Sequence, residues 1–195
     1  MLVLGTYGEG TTFFSVKGEL EGILKGLRVK KPEFTAVNDN PSFHPGRCAK
    51  VTVDGVDVGF LGQVHPLVAQ NYGMDMEVYC AEINFSALFE LTLPEPTFTP
   101  LPKYPAVTRD LALVCDESQT VASLEKCITA AGGKLLRKVT LFDIYRGKGV
   151  PEGKKSMAFS LELRADDRTL TDEDSVGTVN KILAKLESEL GVQIR

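Results

Sequence analysis

The chain has 195 residues, enough for one large or two small domains, with the 43% hydrophobic and 25% charged balance of an ordinary globular protein. No apolar run approaches the ~20 residues of a membrane-spanning helix, which argues against a membrane protein of that kind. The net charge of −4 is uneven: residues 1–102 carry 7 Lys and Arg against 12 Asp and Glu, and residues 103–195 carry 15 against 14. A strongly basic domain is thereby excluded, so any nucleic-acid contact must come from locally clustered charge.

Residues 2–7 read as a short strand. Apolar residues then recur at helical spacing (Phe13, Val16, Leu20, Ile23, Leu24, Leu27), predicting an amphipathic helix from about Ser15. Gly18, Gly22 and Gly26 share one face of it. They make either a close-packing stripe or a weakened helix, at roughly 1 kcal/mol per Gly relative to Ala. Residues 34–37 form a short strand, and Asn38-Asp39-Asn40-Pro41 supplies turn chemistry. Residues 48–53 and 56–64 flank Asp54-Gly55, the dipeptide of a two-residue type I′ hairpin. His65-Pro66 opens a short helix ended by Gly73, residues 78–85 are another strand, and a helical turn follows at 86–91. The first domain, residues 1–90, is therefore a mixed, mostly antiparallel sheet with helices. Four prolines within residues 91–102 mark a linker.

The second domain, residues 103–195, is more regular. Residues 109–115 form a strand with Leu111, Leu113 and Cys115 on one face. A helix capped near Thr120 carries Val121, Leu124, Ile128 and Ala131 and closes at Gly132-Gly133. Residues 135–145 and 156–164 are two further strands. Met157, Phe159, Leu161 and Leu163 alternate with polar or small residues in the second. Thr171-Asp172-Glu173-Asp174 is close to a capping box for a helix with Val176, Val179, Ile182, Leu183, Leu186 and Leu190, and residues 192–195 are a last strand. The order β-α-β-β-α-β is the ferredoxin-like split βαβ, with both helices on one sheet face and the other face available. The overall fold class is α+β.

Between the two central strands lies a loop rich in Gly and Lys. Arg146, Lys148, Lys154 and Lys155 crowd it against Glu152 alone, and Gly147, Gly149 and Gly153 let the backbone approach a partner. It is either a phosphate-contacting loop or a solvated hairpin tip. The wider set of cations that could meet RNA phosphate is Arg109, Arg146, Lys148, Lys154, Lys155, Arg164, Arg168 and Arg195. Tyr145 or Phe142 could stack on an unpaired base, with core packing the alternative and the one favoured for Phe142. Arg109 with Asp110, and Arg146 with Asp143, could instead pair internally.

No catalytic constellation is recognisable. A phosphate-binding G-x-x-x-x-G-K-[ST] loop is absent, and the glycine spacing at 147–153 does not fit a dinucleotide fingerprint. His44 and His65 each precede proline without a second ligand at metal spacing, and Asp166-Asp167 and residues 172–174 fit turn and capping roles, so no metal site is expected. Cys48, Cys80, Cys115 and Cys127 form no C-x-x-C pair and read as buried free thiols of a reducing compartment. With no secretory signal pattern at the N-terminus, a cytoplasmic location is expected.

Four motifs in order carry more than a pattern: residues 103–114, 141–147, 153–156 and 167–173, with Arg195 at the end. They resemble the ferredoxin-fold anticodon-binding domain that closes the β chain of bacterial phenylalanyl-tRNA synthetase. Phe13-Phe14-Ser15-Val16-Lys17-Gly18, His44-Pro45-Gly46-Arg47 and residues 59–66 resemble the preceding end of that chain's catalytic-like core. Together the resemblance covers nearly the whole chain. It implies a C-terminal piece of a longer subunit, without its oligonucleotide-binding fold, editing domain and the start of its core. It further implies a phenylalanine-tRNA ligase of (αβ)₂ form in which the α chain performs catalysis. ATP and Mg would bind outside these residues, phenylalanine tRNA would meet the second domain, and no membrane or DNA partner is expected. The competing readings are a small-molecule regulatory module on the same superfold and a purely structural brace for the α chain.

Overall fold

A computed structural model describes residues 1–195, which divide into two compact units, residues 1–98 and 99–195. The first contains β1 (Leu2–Tyr7), α1 (Phe13–Gly26), β2 (Glu33–Ala36), β3 (Phe43–Val53), β4 (Val56–Val64), α2 (Pro66–Asn71), β5 (Val78–Ile83) and α3 (Phe85–Glu90). Its sheet has the order β1-β5-β4-β3-β2, and every pairing is antiparallel, not mixed. Val16, Leu20 and Leu24 of α1 and Leu88 of α3 bury against Val51, Val53, Val58, Leu61, Ala81 and Ile83 of the sheet.

Helix α1 starts earlier than the apolar spacing alone predicts, because Thr12 caps it and exchanges bonds with Ser15 in a capping box. A side chain at Gly18, Gly22 or Gly26 would meet nothing within 4 Å, so these glycines are not a close-packing stripe. Gly59 is different. At φ +150° its missing Cβ would sit 2.0 Å from the Glu82 carbonyl oxygen, so β4 and β5 approach as they do only because no side chain intervenes. His65 caps α2, its Nδ1 accepting from the Leu67 N–H, and His44 Nδ1 accepts from the Gly46 N–H. Both histidines thus serve local backbone geometry. Leu93 donates to the Arg28 carbonyl and Thr92 bridges Val29, tying the first residues of the proline-rich stretch to this unit.

The second unit contains β6 (Val107–Asp116), α4 (Val121–Gly132), a 3-10 turn (Gly133–Leu135), β7 (Leu136–Tyr145), β8 (Lys154–Leu163), α5 (Asp172–Leu190) and β9 (Gln193–Ile194). The antiparallel order β7-β8-β6-β9 is that of a ferredoxin-like βαββαβ fold. Thr120 caps α4, and Thr171 with Asp174 forms a capping box on α5. Leu111, Leu113, Met157, Phe159 and Leu161 of the sheet meet Leu124, Ile128, Ile182 and Leu186 of the two helices, so one sheet face is covered. The four cysteines are free, Cys48, Cys115 and Cys127 buried and Cys80 half-buried. Burial pushes all four thiols up. No helix is long and apolar enough to cross a membrane.

Candidate nucleic-acid interface

The uncovered face of the second sheet follows from register. Residues opposite one another in an antiparallel pair point to the same side. Because Met157, Phe159, Leu161 and Leu163 are all buried, the alternate positions of β8 face outward. One outward row joins Tyr145 (β7), Ser156 (β8), Val114 (β6) and Gln193 (β9), and the next joins Asp143, Ala158 and Ala112. The backbone N–H of Arg195 donates to the Ala112 carbonyl at 2.9 Å, which extends β9 along that edge.

Tyr145 and Arg195 start from opposite edges of this face, with β8 and β6 between them. Their long side chains meet, the Arg195 guanidinium lying 5.0 Å from the Tyr145 ring centroid. The tyrosine remains 37% exposed, and its hydroxyl donates to the Lys148 carbonyl at 3.4 Å. Gly147 makes this fit possible, since a Cβ there would fall 2.7 Å from the Tyr145 hydroxyl oxygen. The result is an aromatic platform backed by a cation, with Lys148 exposed in the adjoining loop.

The remaining cations are placed differently. Arg146 grips Glu117 with two bonds, Nε to Oε1 at 2.7 Å and Nη2 to Oε2 at 3.2 Å, and this holds the Glu117 carboxyl below its usual range. Lys154 pairs with Asp116 at 2.9 Å. Arg168 clamps Asp174 with both terminal nitrogens, which together with the Thr171 bonds pulls that carboxyl far down. Arg109 lies on the covered face, in step with Leu111, and donates to Asp172 at 3.0 Å and Ser175 at 3.1 Å. Arg164 is half-buried beside Glu162 at 3.8 Å, and its Nε is buried without a partner. The internal pairs suggested by sequence proximity, Arg109 with Asp110 and Arg146 with Asp143, give way to these more distant partners.

Lys155 and Phe142 take positions that loop composition and strand pattern do not suggest. Lys155 is 8% exposed, stands opposite Cys115 toward the core, and donates to the Glu117 carbonyl at 2.8 Å. Its ammonium anchors the turn after β6. Phe142 is 57% exposed and not in the core, because the register of β7 shifts between Leu141 and Asp143 and turns it outward. Glu117 was not singled out from the sequence at all. Nothing local marks it, since its partners Arg146 and Lys155 lie 29 and 38 positions away.

Residues 102–195 match the family model described as ferredoxin-fold anticodon binding domain. Residues 4–85 match the one described as phenylalanyl tRNA synthetase beta chain CLM domain. Among curated relatives, the phenylalanine–tRNA ligase beta subunit of Clostridium tetani is 42% identical over 100% of this chain and 24% of its own length. That of Symbiobacterium thermophilum is 44% identical over 94% of this chain and 20% of its own. The Bacillus subtilis subunit is 41% identical over 94% and 23%. The chain thus spans about a quarter or less of the length of these relatives.

Proposed function

The chain belongs to the family of phenylalanine–tRNA ligase beta subunits, and from that membership we propose that its second unit grips the anticodon region of phenylalanine tRNA through the uncovered sheet face. The observation that carries this reading is the Tyr145 ring, exposed on that face, backed by Arg195, with its hydroxyl donating to the Lys148 carbonyl. A flipped-out base has a π-face to lay on such a ring, worth roughly 1–3 kcal/mol, while the loop cations meet the adjoining phosphates. In this reading Arg195, over the ring, and Lys148, exposed in the loop, are the first cations to meet phosphate. Arg146 and Lys154 are reachable once released from their acids, and Arg109, Arg164 and Arg168 serve chiefly to fix the ends of β6, β8 and α5. In this reading the first unit packs against the α chain of an (αβ)₂ ligase. Phenylalanine activation, with its ATP and Mg, belongs to that partner, and the assembly works in the cytoplasm.

The test is tRNA binding by the full-length subunit assembled with its partner, using phenylalanine tRNA and a version with an altered anticodon. Tyr145→Ala is expected to cost roughly 1–3 kcal/mol with the natural anticodon and to shrink the preference for it. Lys148→Ala is expected to weaken both RNAs alike and lower the salt slope by about 1. Unchanged binding of both RNAs by Tyr145→Ala would remove the stacking platform from the reading.

A further inference from the structure

Resting on the anticodon reading above, we infer that Asp116 and Glu117 are specificity-determining counterions: they occupy Lys154 and Arg146 in the free protein, so that generic RNA backbone finds these cations already neutralised. The pattern of pairing supports this. Two cations, Arg195 above the Tyr145 ring and the exposed Lys148 of the loop, form no ion pair with a carboxylate, whereas Arg146 and Lys154 of the same hairpin each have one, at 2.7 Å and 2.9 Å. Some of the hairpin's charge is thus left open while the rest is closed by these two acids.

The two acids sit on a mount that does not depend on their carboxylates. The Glu117 N–H donates to the Gly153 carbonyl at 3.0 Å, Lys155 Nζ donates to the Glu117 carbonyl at 2.8 Å, and the Gln119 N–H donates to the Asp116 carbonyl at 3.0 Å. The turn stays docked on the hairpin whether or not the side chains are charged. Both pairs are also open to solvent, with Arg146 and Glu117 57% and 43% exposed and Lys154 and Asp116 37% and 62%. Such pairs are weak enough to exchange for a phosphate held in place by other contacts. Sequence-independent affinity scales with the number of phosphates neutralised, so closing two cations reduces it while leaving stacking on Tyr145 untouched. Discrimination is a difference of affinities, and the acids widen it by weakening the wrong partner.

The experiment compares Glu117→Gln and Asp116→Asn, each in the full-length subunit assembled with its partner, against phenylalanine tRNA and an unrelated tRNA over a salt series. Each variant should tighten the unrelated tRNA by about two- to five-fold and steepen its salt slope by about 1. The preference for phenylalanine tRNA should fall accordingly. Adding Arg146→Ala to Glu117→Gln should abolish the gain. Unchanged or weaker binding of the unrelated tRNA in both variants overturns the inference, as does a gain that survives Arg146→Ala. Asp116→Asn leaves the Glu117–Arg146 pair intact and is an independent arm should Glu117→Gln lower the melting temperature. Failure of the anticodon reading itself would show separately, as Tyr145→Ala binding both RNAs like the wild type.

Discussion

The two hairpins β3–β4 and β7–β8 join long antiparallel strands in opposite ways. The first turns on Asp54 and Gly55 alone, both at positive φ (53° and 79°), and keeps pairing to its last residues, Val53 with Val56. The second breaks off at Tyr145 with Ser156 and spends residues 146–153 on a loop with two internal turn bonds, Val150 to Gly147 and Lys154 to Pro151. A two-residue type I′ turn matches the twist of its strands and needs no outside support. The longer loop carries more conformational freedom, and a third segment holds it: the turn after β6, through Glu117 and the buried Lys155. Closing a sheet takes two residues, whereas presenting a loop takes a brace.

By this contrast, the short hairpin fails only from its own backbone and the long one from its brace. Gly59→Ala should have the largest effect, since the new Cβ would strike the Glu82 carbonyl in the strand next to the short hairpin. A loss of about 3 kcal/mol or more is expected in urea denaturation, confined to the first unit. A loss below ~1 kcal/mol would mean that β4 and β5 can separate at little cost. Lys155→Met should come next, at about 2 kcal/mol, because it leaves the Glu117 carbonyl short of a donor. Hydrogen exchange should quicken in residues 146–153 and stay unchanged at Asp54 and Gly55. Equal quickening at both tips would remove the contrast. Acidification should have the smallest effect. Arg146 holds the folded Glu117 carboxyl below its unfolded value, so the pair's contribution is fully present above the usual carboxylate range near ~4.3 and is lost as pH falls through the lower folded value. The Arg146 side-chain resonance should shift over that acid window in the wild type and not in Glu117→Gln.

The short hairpin was legible in the sequence because its cause is local. Asp-Gly demands the turn, and alternating valines supply the strands. The βαββαβ order was legible for the same reason, through alternation in β8, the stripe of α5 and the threonine caps. The start of α1 is less legible, because apolar spacing marks where a helix is buried, while Thr12 and Ser15 decide where it begins. The interface was harder to read. Loop composition drew attention to Lys154 and Lys155 equally, yet strand parity turns Lys155 inward and leaves Lys154 out. Arg195 is found over Tyr145 only once β9 is paired beside β6, a relation between residues that spacing along the chain cannot express. Phe142 escapes a reading by alternation because a bulge reverses the parity of its strand end.

The four thiols have a practical consequence for labelling. Each is held in its protonated form by burial, and thiol alkylation proceeds through the thiolate, so the native cysteines should react slowly with a maleimide at neutral pH. A cysteine placed in the exposed loop, in Glu152→Cys, would be the fast-reacting one. A fluorophore could then be set in the loop after Tyr145 without first removing these four sulfhydryls, giving an optical test of whether RNA arrives at that ring.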